Sequence, residues 1–112
     1  MVEKFRLEQM VKGWFIGDFE PTVFSTSEFE VAVKHYEAGD FEEAHYHAIA
    51  TEVTVVVSGT VEMCGGLHSD GSILVLSPGD ATAFRAVTQA VTAVVKYPCV
   101  RGDKYSLEET DG

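Results

Sequence analysis

The sequence has few cationic side chains for its length. Its 112 residues include eight lysines and arginines against eighteen aspartates and glutamates, which gives a net charge of −10 at pH 7. Because nucleic acids and anionic lipids attract basic surfaces, this balance argues against a nucleic-acid or membrane partner. The lysines and arginines are also scattered along the chain, so the sequence predicts no basic cluster for a pyrophosphate group.

Cysteines are scarce, and no apolar stretch approaches the length of a membrane span. The two cysteines are Cys64 and Cys99. Residues 1–10 carry charges throughout, whereas a secretory leader needs an apolar run. We therefore expect a reduced, cytoplasmic protein.

No long stretch of the sequence has the hydrophobic period of an α-helix. Short segments with the alternating side-chain pattern of a β-strand are present instead. Val31 and Val33 alternate with Ala32 and Lys34, and residues 53–57 and 91–97 are rich in β-branched side chains. Glycines and prolines separate these segments, a pattern that predicts an all-β sandwich or barrel. The length predicts one domain over residues 1–112, with an N-terminal arm (1–28), a barrel core (29–97) and a frayed acidic tail (106–112).

Two histidines and a glutamate form the main candidate site. His45 and His47 are two residues apart, a spacing that puts both rings on one face of a strand. A tight turn after His47 would bring Glu52 back beside them. Two imidazoles and a carboxylate are suitable ligands for iron(II), manganese, zinc or nickel. The alternative is a set of polar pocket-lining residues without a metal ion.

The flanking residues extend this cluster into a longer motif. From Gly39 to Gly59 the sequence reads G-x5-H-x-H-x4-E-x6-G, which resembles the first motif of the cupin family. The run from Gly71 to Pro78-Gly79 is similar to the second cupin motif. The resemblance implies a cupin-type jelly-roll β-barrel with a pocket, and a divalent metal ion at its floor held by His45, His47 and Glu52.

The second motif departs from the family at one position. Thr82 stands where the family usually supplies a histidine as a fourth ligand. Three ligands leave open coordination positions for a substrate, water or oxygen, which favours a metal-dependent enzyme of oxygenase or isomerase type on a small organic molecule. The alternatives are a non-catalytic binder of a small molecule such as a sugar, and a metal-free sugar-nucleotide isomerase or epimerase.

The strand predicted after the histidines also indicates how copies of the chain assemble. If Glu52 points into the barrel, the period of two sends Thr54, Val56 and Ser58 inward and Val53, Val55 and Val57 outward. Three outward valines need cover, either from the aromatic N-terminal segment or from a second copy of the chain. The segment's aromatic residues are Trp14, Phe15 and Phe19. We predict a homodimer that buries the valines.

Overall fold

The computed structural model describes residues 1–107, which form ten β-strands and one 3₁₀ turn at Leu7–Gln9. This composition confirms the predicted all-β class. Within the described residues no helix is long and apolar enough to cross a membrane. The strands are β1 (Trp14–Ile16), β2 (Glu30–Tyr36), β3 (Phe41–Tyr46), β4 (Thr51–Ser58), β5 (Thr60–Met63), β6 (Gly66–Ser69), β7 (Ile73–Leu76), β8 (Thr82–Ala86), β9 (Ala90–Tyr97) and β10 (Tyr105–Ser106).

The strands form two antiparallel five-stranded sheets. The first has the order β1-β2-β9-β4-β7 and the second β10-β3-β8-β5-β6. An apolar core between them includes Val56, Val61 and Phe84. Burial of such side chains is the main stabilisation of a two-layer fold. The two packed sheets confirm the predicted jelly roll.

Gly39 and Gly59, the two glycines that bound the first motif, both lie in turns. Their φ angles are +93° and +88°, in the left-handed region that favours glycine. A Cβ atom on Gly59 would lie 2.2 Å from the carbonyl oxygen of Gln89, so only glycine fits the turn between β4 and β5. These turns set where β3 begins and where β4 ends.

The outward face of the first sheet is apolar across four strands. The pairing aligns side chains in two rows, which we call the apolar outer face: Val31–Val95–Val53–Val75 and Val33–Ala93–Val55–Ile73. Thr54 and Val56 are buried on the opposite side, as predicted, whereas Ile73 is 65% exposed and Val75 is 63% exposed. The N-terminal strand β1 pairs with β2, two strands away from β4, so it does not cover the outward valines of β4.

The C-terminal residues differ from the prediction. Ser106 was expected to begin a frayed tail, but it lies in β10 and pairs with His45, while Tyr105 pairs with Tyr46. The Tyr46 and Tyr105 rings stack with centroids 5.4 Å apart, which holds β10 against β3. Residues 108–112 of the predicted tail lie outside the described part of the chain.

Candidate functional site

A cavity of about 250 Å³ lies between the sheets beside the apolar core, and we call it the inner cavity. His45, His47 and Glu52 all line it. His45 is in β3, His47 follows its end, and the turn over residues 47–50 returns the chain into β4 at Glu52. The structure therefore brings together the three residues that the spacing singled out.

His47 faces an acceptor at each ring nitrogen. Its Nδ1–H donates to the carbonyl oxygen of Asp103, and its Nε2 lies 3.3 Å from Oε1 of Glu52. A neutral imidazole carries one N–H, so the second contact needs an added proton or a metal ion between Nε2 and Oε1. Two ligand atoms of one zinc-like ion lie about 3.0–3.4 Å apart, given bond lengths of about 2.1 Å. The His47–Glu52 pair has this separation.

His45 has the same tautomer but stands apart from that pair. Its Nδ1 lies 3.0 Å from the carbonyl oxygen of Glu43, which leaves Nε2 as the atom with a free lone pair. Burial lowers the pKa of His45 and keeps the ring neutral, as a metal ligand must be. The two histidine rings meet edge-on with centroids 5.3 Å apart. Within residues 1–107, no three histidine, cysteine or carboxylate side chains are grouped closely enough to hold a metal ion as they stand.

Glu52 is an ionised carboxylate in a mostly buried position. Burial raises the pKa of Glu52, but the contact with His47, the hydrogen bond from Thr54 and the charge of Lys96 outweigh it, so the pKa lies below its ordinary value. The Thr54 hydroxyl donates to Oε2 of Glu52 at 2.9 Å. Lys96 pairs with Glu52 across β9 and β4. The carboxylate is thus held in the charged form that binds cations.

The second motif lies directly against the first. Thr82, where the motif resemblance predicts a fourth ligand, pairs with His45 across β8 and β3 and lines the inner cavity. Its hydroxyl accepts from the Cys64 N–H and donates to the Ala83 carbonyl, both at 2.7 Å. The Gly79 N–H donates to the His47 carbonyl at 2.7 Å. The Pro-Gly turn therefore fixes the backbone of a candidate ligand.

Asp103 is a supporting residue that the sequence did not reveal. Its carboxylate accepts hydrogen bonds from the backbone N–H groups of Ala48, Ile49 and Ala50, at 2.9–3.2 Å. Its backbone carbonyl orients His47, 56 residues earlier in the chain. No local pattern indicates a contact at that separation. Asp103 fixes the turn that carries the chain from His47 to Glu52.

The structure corrects the prediction of scattered cationic side chains. Four of the five lysines line the inner cavity: Lys12, Lys34, Lys96 and Lys104. The ammonium groups of Lys34 and Lys96 lie 5.1 and 4.8 Å from the centroid of the Trp14 ring. Burial lowers the pKa of Lys34, and the charge of Glu42 opposes this shift. The folded chain thus contains a basic cluster that its linear order hides.

Comparison with known proteins identifies the fold. No protein-family model matches the sequence, and neither does any curated protein. A double-stranded β-helix protein from Klebsiella pneumoniae superposes with a TM-score of 0.67 at 22% identity, over 75% of this chain and 74% of the other. KdgF from Halomonas sp. gives a TM-score of 0.59 at 19% identity, over 65% and 72%.

A third structure comes from a protein with a stated activity. A sugar phosphate isomerase of the cupin superfamily from Silicibacter pomeroyi has a TM-score of 0.57 at 26% identity, over 63% of this chain and 51% of the other. The two sheets, the placement of both motifs and these superpositions agree. The chain is a small protein of the cupin fold, the double-stranded β-helix.

Proposed function

We propose that the chain is a metal-dependent enzyme acting on a small organic molecule in the inner cavity. The His47–Glu52 contact carries this proposal, because His47 is oriented through Nδ1 by the Asp103 carbonyl and presents Nε2 to a carboxylate at 3.3 Å. A divalent ion (iron, manganese, zinc or nickel) would be held by His47 and Glu52, with His45 closing on the pair as the third ligand.

The surroundings of this contact support an enzyme with a small substrate. Sites for drug-sized ligands measure about 300–1,000 Å³, so the inner cavity at about 250 Å³ suits a smaller molecule. The side chain of Thr82 already makes two hydrogen bonds to the backbone, which supports a site with open coordination positions. The sugar phosphate isomerase from Silicibacter pomeroyi supports catalysis over passive binding in this fold.

The protein's own residues would orient both the ion and the substrate. A bound ion supplies a Lewis acid that polarises a substrate oxygen. Asp103 and Thr54 hold His47 and Glu52 in place through hydrogen bonds. Tyr36 lines the same cavity and donates from its hydroxyl to Glu42 at 3.2 Å, so it fixes one wall of the substrate site.

A turnover assay tests the proposed function. Chelator-treated protein and protein reloaded with each of the four metals are incubated with a panel of small hydroxy acids, keto acids and sugar phosphates. We expect turnover of at least one compound by one reloaded form, and its loss after renewed chelation. A protein that takes up no metal, or equal turnover with and without metal, contradicts the proposal.

We also propose that a second copy of the chain covers the apolar outer face in a twofold dimer. The face presents β-branched side chains on four neighbouring strands, and Ile73 and Val75 are about two-thirds exposed. A contiguous apolar surface of this kind is typical of an interface between subunits. A twofold axis pairs the same patch on both copies, so a uniformly apolar face complements itself.

Val55→Asp tests the dimer, because Val55 lies in the middle of the apolar outer face. We expect wild-type protein at micromolar concentration to show a dimer mass in light scattering, and the variant to show a monomer mass with an unchanged circular dichroism spectrum. Leu67→Asp places the same charge at an exposed apolar residue of β6 in the second sheet and should remain dimeric. A monomeric wild type, or a dimeric Val55→Asp, contradicts this arrangement.

We further propose a reduced, cytoplasmic location. Cys64 and Cys99 are both free thiols, and the Cys99 sulfur makes hydrogen bonds with Asp18 and Glu30 instead of a disulfide. Free thiols persist in reducing compartments, which supports this location.

A further inference from the structure

We propose that the inner cavity binds a small organic anion, whose carboxylate or phosphate group is held by Lys34 and Thr92 beside Trp14. The inference deepens the proposed function by naming the substrate class, and it rests on that proposal in taking the inner cavity as the substrate site. Its evidence is separate from the candidate metal ligands.

The charge of the inner cavity differs from that of the whole chain. Acidic side chains outnumber basic ones eighteen to eight in the sequence. The cavity instead has four lysines against three carboxylates, those of Glu42, Glu52 and Asp80, and a fourth carboxylate, Glu30, pairs with Lys96. The cavity is therefore balanced in charge within an acidic chain, and an anion meets less repulsion there than at the acidic surface.

Lys34 is the lysine with unused hydrogen-bonding capacity. Its side chain is 17% exposed, and its nearest counter-charge is Glu42 with Oε2 at 3.8 Å, beyond hydrogen-bond distance. Lys96, by comparison, is bonded to Glu30 at 2.8 Å. An ammonium group has three donors, and a buried one without acceptors is costly. Within residues 1–107 no acceptor meets the Lys34 ammonium at hydrogen-bond distance, so a ligand anion is the natural partner.

Thr92 provides a second group of the same kind. It pairs with Lys34 across β9 and β2, and both side chains line the inner cavity. Thr92 is 1% exposed, and its hydroxyl oxygen makes no hydrogen bond of normal geometry with the described residues. Its polar neighbour is the Tyr36 hydroxyl: burial raises the pKa of that hydroxyl, and Thr92 acts to lower it. Buried hydroxyls are normally satisfied, so an exception beside a cavity marks a point where a ligand or a water molecule can bind. An anion beside Lys34 would accept the Thr92 hydroxyl as well as the ammonium.

Trp14 places this anion site at one wall of the cavity. It pairs with Ala32, a small buried residue between Lys34 and Glu30 on β2, and its ring lies close to both Lys34 and Lys96. Trp14 is the single tryptophan of the chain. Its fluorescence therefore reports an anion that displaces either ammonium group from the ring.

The test is an anion titration of chelator-treated protein. Sodium phosphate and sodium malonate are titrated separately at constant ionic strength, with calorimetry for affinity and tryptophan fluorescence for location. We expect saturable binding of at least one anion with a fluorescence change. Phosphate binding alone indicates a phosphorylated substrate, and malonate binding alone indicates a carboxylic acid. Saturable binding of neither anion overturns the inference.

Two variants separate a ligand site from a structural role. Lys34→Met keeps the chain length without the charge and should weaken anion binding about tenfold. Thr92→Val removes a hydroxyl that makes no hydrogen bond of normal geometry in the fold, so it should weaken anion binding with little change in thermal stability. Lys4→Met removes a lysine outside the cavity and should bind as wild type does. Wild-type affinity in Lys34→Met overturns the inference.

The anion titration contains no metal ion, so its result does not depend on whether the chain is a metal-dependent enzyme. Anion binding by a protein that takes up no metal ion keeps the anion site and rejects the metal-dependent enzyme. Metal uptake by a protein that binds no anion keeps the metal-dependent enzyme and rejects the anion site.

Discussion

His47→Ala is expected to lower the affinity of the chain for a divalent metal ion by about a hundredfold or more. Loss of a group that merely orients a ligand costs about 10–100-fold, and loss of the ligand itself costs at least as much. His47 is expected to matter most, since it alone of the two histidines lies at ligand distance from Glu52. Isothermal titration with Zn²⁺ and Mn²⁺, and elemental analysis after equal loading, measure the effect.

His35→Ala is the matched control for this variant. His35 is an exposed histidine on the outward side of β2, so its removal should leave metal uptake unchanged. Uptake by the wild type should also fall as the pH drops through the range where histidine titrates, because imidazole ligands bind in the unprotonated form. Equal metal content in wild type and His47→Ala would show that the ion, if any, binds elsewhere.

Asp103→Ala is expected to destabilise the fold by about 3 kcal/mol, because three backbone N–H groups lose a charged acceptor at once. For a domain of this size the midpoint of thermal unfolding should fall by roughly 10–20 °C. Asp103→Asn keeps one acceptor oxygen, so its stability should lie between those of the wild type and Asp103→Ala. Asp70→Ala removes a single exposed bond to the Gly59 N–H and should cost clearly less. Scanning calorimetry measures all four proteins.

The stabilisation by Asp103 should depend on pH in a defined direction. Burial raises the pKa of Asp103, but the hydrogen bonds from Ala50, Ala48 and Ile49 outweigh it and hold the pKa below its ordinary value of 3.8. A carboxyl group with a lowered pKa stabilises the folded state above its unfolded pKa, and the effect is lost as the pH falls through the folded pKa. The difference between wild type and Asp103→Ala should therefore be full at pH 7 and shrink below about pH 4. A difference independent of pH would contradict the role of the charge.

The sequence predicts the histidines and Glu52 well because their geometry is local. His45 and His47 share a strand and its end, and one turn separates them from Glu52, so spacing alone brings the three to one cavity. The glycines at positions 39 and 59 mark the turns for the same reason. Asp103 depends on a contact 56 residues away, which no window of the sequence contains.

The lysines were missed for a different reason. Alternation in β2 suggests that Val31 and Val33 face the core and Lys34 faces solvent, the usual arrangement of a half-buried strand. The structure reverses this, because Ala32 and Lys34 line the interior while the valines form part of the apolar outer face. Hydrophobic pattern identifies the two faces of a strand, but a polar binding cavity makes the inner face the more polar one.

The pairing of β10 with β3 has a consequence for how the protein matures during synthesis. The strands β2, β4, β7 and β9 are complete once residue 97 has left the ribosome. The carbonyl that orients His47 and the strand that borders His45 come from residues 103–106. Most of the first sheet therefore precedes a finished site in translation, and the candidate ligand histidines reach their final orientation after the strands of that sheet have been synthesised.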